Sequence, residues 1–108
     1  MGLSKDEIRM IVEKLSTLGA TEQLVVVSAI HAQIAEVGTD LWDDLIAAVP
    51  GVANTYPPMG ANQLSHLFGG LVELDAGFVN KLLPLFESRD EAVRTLVYTA
   101  VGCSWDAC

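Results

Sequence analysis

The sequence predicts an all-α fold: a compact bundle of five or six short helices, readable also as two stacked helical hairpins. Three observations predict it. Apolar residues recur at three- and four-residue spacings, the period of a buried helical stripe. Ser4 with Glu7, and Ser88 with Glu91, stand in the Ser-x-x-Glu order by which a helix start satisfies its own free N–H groups. Gly19, Gly38, Pro50-Gly51 and Gly102 follow the periodic segments, where helices commonly stop.

The elements follow in order. After Ser4, the residues Ile8, Ile11, Val12, Leu15 and Leu18 fall on one stripe, and Gly19 ends the first helix. Thr21 is placed to cap a second helix over residues 22–37. Leu24, Val25, Val26, Val27, Ile30, Ile34 and Val37 surround it almost completely, which makes it the expected central helix. The Val25-Val26-Val27 run favours a strand, but some fifteen apolar or small residues without a turn signal favour a helix. Thr39 or Asp40 opens a third helix with Leu41, Trp42, Leu45, Ile46 and Val49 inward, stopped by Pro50-Gly51. Residues 50–61 form the long loop, extended at Tyr56-Pro57-Pro58 because proline restricts itself and the residue before it.

Asn62 caps a fourth helix carrying Leu64, Leu67, Phe68, Leu71 and Val72. Gly69-Gly70 inside it serves close packing against a neighbour or a break. A fifth helix, Phe78 to Phe86, is bent or shortened by Pro84. The last, with Val93, Leu96, Val97, Ala100 and Val101, ends at Gly102. The domain is therefore 1–102, followed by a Cys/Trp tail over 103–108. The first helix is expected to meet the last near Leu15 and Leu96. Gln23-Leu24 and Gln63-Leu64 open similar helix–turn–helix units, the basis of the two-hairpin reading.

Composition limits function. The chain has 108 residues, 51% of them hydrophobic, which excludes disorder and suits one domain. Fourteen acidic residues oppose six Lys or Arg, for a net charge of −8, so a phosphate backbone is repelled and no nucleic-acid partner is expected. No apolar stretch is long enough to span a bilayer, so no membrane partner is expected either. The N-terminus lacks the apolar core of a secretory signal, which points to the cytoplasm. High hydrophobicity for this length suggests self-association, a homo-oligomer.

Catalytic and metal chemistry leave no local signature. His31 and His66 lie in apolar helices without a carboxylate one turn away, and read as core or half-buried histidines. Two cysteines and no paired His ligands fall short of a structural zinc set, so neither a metal nor a cofactor is expected. The chain is read as a non-enzyme. Asp40, Asp43, Asp44 and Asp90-Glu91 suit helix starts; their other reading is a docking surface for a basic partner.

Met59-Gly60-Ala61-Asn62-Gln63-Leu64, with Leu71-Val72-Glu73-Leu74 downstream, resembles the acyl carrier protein signature Leu-Gly-x-Asp-Ser-Leu. Gln63 stands where that family has its modified Ser, and Asn62 where it has Asp. Without the hydroxyl no phosphopantetheine attaches, so the resemblance implies an acidic helical shape and not carrier function.

The leading functional expectation is a non-enzymatic helical interaction domain that binds another protein, or itself. Its partner-binding residues are Tyr56, Pro57 and Pro58 in the loop and Trp105 in the tail, since aromatic side chains are favoured interface anchors. An alternative rests on Cys103 and Cys108. A long leader ending in Gly before a short Cys- and Ser-bearing core is the layout of ribosomally made peptide precursors, whose tail a partner enzyme modifies. A further alternative makes Cys103 and Cys108 a thiol-redox pair or a soft-metal site.

Overall fold

The computed structural model describes residues 3–105, with side chains described for residues 3–102. Six α-helices form one bundle: α1 (Lys5–Lys14), α2 (Ala20–Ala32), α3 (Trp42–Ala53), α4 (Met59–Leu74), α5 (Val79–Leu82) and α6 (Glu91–Trp105). Short 3-10 turns join them, and there is no strand among the described residues.

The helix starts obey the local rules. Ser4 Oγ accepts the Glu7 N–H at 3.2 Å, and the Glu7 carboxylate accepts the Ser4 N–H at 2.9 Å, a complete capping box. Glycines also serve as starts. Gly19 (φ −73°, ψ 167°) and Gly38 (φ −86°, ψ 173°) are extended residues preceding α2 and a 3-10 turn, and no described glycine has positive φ. The second Ser-x-x-Glu works differently from expectation. Ser88 Oγ accepts from Asp90, and it is Asp90 Oδ1 that accepts the Ala92 N–H at the start of α6.

Four helix boundaries correct the sequence reading. α2 stops at Ala32 because the Gln33 side chain turns to the N-terminal segment. Its Oε1 accepts the Leu3 N–H at 2.7 Å and its Nε2 donates to the Leu3 carbonyl at 2.8 Å, while its own backbone leaves the helical region. α3 runs through Pro50-Gly51 to Ala53. Its last carbonyls are satisfied by side chains: Asn54 Nδ2 donates to Pro50 O, and Thr55 Oγ1 to Gly51 O. α4 starts at Met59, three residues before Asn62, directly behind the prolines, which need no N–H partner. α6 continues through Gly102 to Trp105, so the residue read as a terminator is an interior one, and the expected start of the tail is helical backbone.

The centre of the bundle is α4, not α2. Leu64, Ser65, Leu67, Phe68, Gly69 and Leu71 are all buried, with α2 on one side and α6 on the other. α2 is apolar all round, yet only Gln23, Val27 and Ile30 are buried; Val25 faces outward at 63% exposure. The reason is Gly70 and Gly60 on α4, which draw one face of α2 close and leave the opposite face uncovered. α1 packs on α3, and α6 on α4 and α3, so the expected α1–α6 pairing is replaced. Trp42, Phe78 and Phe68 meet edge-to-face in series at 5.1 and 5.2 Å, fastening α3 and the turn before α5 to α4.

One corner is unusually tight. Gln23 is wholly buried, and its Nε2 donates to Leu15 O, Leu18 O and Thr55 Oγ1 at 3.0–3.2 Å. A Cβ on Gly60 would sit 2.5 Å from Gln23 Cβ, and one on Gly51 would sit 2.2 Å from Ser16 Cβ. Elsewhere on the surface, Asp40, Asp43 and Asp44 pair with Lys5, Arg9 and Lys81 at 2.8–3.5 Å. These exposed pairs stabilise by at most about 1 kcal/mol each.

Two glycines of similar sequence appearance should respond oppositely to alanine. Gly51→Ala lowers stability by about 1–3 kcal/mol, because the new methyl group would meet Ser16 Cβ at 2.2 Å, an atom that moves only with its backbone. Gly102→Ala, with nothing within 4 Å, raises it by up to about 1 kcal/mol, as for any helix-interior glycine. Urea midpoints of the two variants check both signs. Gln23→Ala is expected to cost about 1–3 kcal/mol by removing the amide that donates to the Leu15 and Leu18 carbonyls and the Thr55 hydroxyl; equilibrium unfolding measures it.

Candidate functional site

Small side chains on two neighbouring helices leave a groove. Ala61 and Ser65 on α4 and Ala92 and Leu96 on α6 form its floor. Ser65 Oγ lies within hydrogen-bond distance of its own helix at Ala61 O (3.1 Å) and of Leu96 O (2.9 Å), which holds the two helices in register. One wall is the α6 edge Glu91, Thr95 and Thr99, spaced four residues apart and exposed. The other is Asn62 with the loop residues Tyr56 and Pro58. The groove is open to solvent and holds about 740 Å³, within the range of ligand sites.

The loop is anchored at its first two residues. Thr55 is held by the Gln23 amide and the Gly51 carbonyl. Asn54 Nδ2 donates to Asp90 Oδ2 at 2.5 Å, tying the end of α3 to the start of α6. The Tyr56–Pro57 bond is cis, and Pro57 and Pro58 stiffen the residues that follow those anchors. Tyr56 is therefore presented by a braced segment, yet it is itself 89% exposed.

Asp90 carries the local electrostatics. The Asn54 amide, then the Ala92 and Val93 N–H groups and the Arg94 charge, hold its carboxyl below the usual carboxylate range, against a smaller desolvation cost. Arg94 also donates to Ser88 O, so it is engaged away from the groove.

Of the residues expected from sequence, Tyr56 and Pro58 reach this groove, and Pro57 is exposed beside them. The structure does not gather the rest there. Cys103 and Trp105 occupy the end of α6, with side chains outside the described part, and Cys108 lies outside the described residues. Sequence reasoning missed Thr95, Thr99, Asn62 and Ser65. Their signal was a stripe of small and hydroxyl residues, Ala92-Thr95-Thr99 facing Ala61-Ser65, which only helix pairing turns into a floor and a wall.

The histidines do not build a site. His31 is half-buried, with Nδ1 3.5 Å from the Gln63 amide nitrogen, and His66 is exposed on α4. Among the described residues no group of three His, Cys, Asp or Glu could hold a metal ion. No helix among the described residues is long and apolar enough to cross a membrane. The acidic triplet Asp40, Asp43 and Asp44 is engaged by Lys5, Arg9 and Lys81.

Comparison with known proteins yields no match: no family model fits the chain, and no curated protein or solved structure is detectably similar to it.

The Asp90 latch makes a pH prediction. A carboxyl whose folded value is lowered contributes stability above its ordinary titration range and loses it as pH falls through the folded value. Stability therefore falls from about pH 5 downward. Asp90→Asn, which keeps a capping side chain but cannot titrate, should flatten that acid limb in a series of melts from pH 7 to pH 3.

Proposed function

We propose that this chain is a non-enzymatic helical protein-interaction domain whose partner seats in the groove between α4 and α6. The observation that carries the reading is Tyr56: a large amphipathic side chain almost fully exposed, on a loop braced by Gln23 and Asp90, at the rim of a groove with an apolar floor. Tyrosine gives large contact area at low entropic cost and recurs among interface anchors. A braced loop adds less ordering cost on binding than a floppy one.

The precursor reading receives less support. It asks for an accessible, extended backbone at Val101-Gly102, and α6 is helical there. The groove also lacks a nucleophile–base pair, so it favours binding over chemistry.

The test is site-specific photo-cross-linking. With a photoreactive phenylalanine analogue at position 56, irradiation in cells of the source should give discrete adducts. The same analogue at position 98, where Tyr98 is exposed but lies off the groove, should not. Thr95→Trp, which fills the groove from its α6 wall, should remove the adducts while the circular dichroism spectrum stays unchanged. Equal adducts at both positions, or adducts indifferent to Thr95→Trp, would count against the groove.

A further inference from the structure

We infer that the occupant of the groove is a cationic segment of another protein, an aliphatic or aromatic anchor flanked by Lys or Arg; this rests on the interaction-domain reading above. The argument comes from which hydrogen-bonding capacity the groove has left. Ser65 directs its hydroxyl proton to helix carbonyls, and Thr99 donates its own to Thr95 O at 2.9 Å. Neither hydroxyl has a proton to offer; Ser65 is buried, and the exposed Thr99 keeps its acceptor lone pairs for an occupant. Glu91, the charged residue of the lining, is an acceptor when ionised. Asn62 and Tyr56 can serve either way. The α6 side of the groove is thus biased toward receiving donors, and Lys and Arg are donors without acceptors.

Charge points the same way. The chain carries −8, and four of its six Lys and Arg are engaged: Lys5, Arg9 and Lys81 pair with Asp40, Asp43 and Asp44, and Arg94 sits on Ser88 O. A basic segment is steered toward such a surface, and an acidic one is repelled. The floor supplies the rest. Ala61, Ala92 and Ser65 are small, so the depth between the helices accepts one bulky apolar side chain, while flanking cations reach the Glu91 edge.

The experiment selects a display library of random dodecapeptides on the full chain, with counter-selection on Thr95→Trp to retain groove binders. The expected enrichment is Lys or Arg next to a large apolar residue. Glu91→Gln should weaken a synthetic winner about two- to fivefold, the range of an exposed ion pair, and the loss should vanish when the peptide's Lys or Arg is replaced by Gln. Raising salt should weaken the charged peptide more than its neutral version. Groove binders that are neutral or acidic would overturn the cationic assignment and leave the interaction groove standing. No winners surviving the counter-selection would overturn both.

Discussion

The Gln23 amide is the interaction on which the arrangement depends. It is a polar side chain with no exposure, and burying it without partners would cost several kcal/mol. Its partners are the carbonyls at the end of α1, at Leu15 and Leu18, and the Thr55 hydroxyl beyond α3. One side chain therefore joins the α1–α2 corner to the α3–α4 corner. Gly60 and Gly51 are the steric complement. They leave room for Gln23 and Ser16 at distances that a methyl group would forbid. Such a site specifies one packing, because any slip of α2 against α4 strands the amide.

From that corner the groove follows. Asn54 is held by Asp90 and Thr55 by Gln23, and the chain leaves these two adjacent anchors with Tyr56 exposed beside α4. α4 meets α6 through small residues, and Ser65 bonds the Leu96 carbonyl rather than filling space. Two helices brought together this way leave a shallow channel on their solvent side. The acidic character of the chain, and Glu91 on the groove wall, then give the channel its preference.

Two features kept part of this illegible. Glycine and proline are local punctuation only when no tertiary contact overrides them. Gly19 and Gly38 stand before elements instead of ending them, Pro50-Gly51 lies inside α3, and Gly102 lies inside α6. The second feature is exposure. The valine-rich α2 reads as central because its residues are apolar on every side, but which face is covered depends on where α4 offers a glycine. For the candidate site, the loop triplet Tyr56-Pro57-Pro58 was legible, because proline and an unpatterned aromatic mark a stiff exposed turn. The α6 wall was not, because Thr95 and Thr99 look like ordinary solvent-facing helix residues.

The sequence by itself determined the all-α class, the helical stripes, the capping box at Ser4 and Glu7 and the net negative charge. These depend on spacing and on residue type within a few positions, which the chain carries without folding. Tertiary structure alone decided that α4 is central, that α1 pairs with α3, that Gln23 is a buried tie, and that Tyr56 stands beside Thr95 across a groove. Those outcomes join residues some thirty to forty positions apart. They are set by the fit of one helix surface on another and by the need to give buried polar groups such as the Gln23 NH2 their partners, neither of which any local window contains.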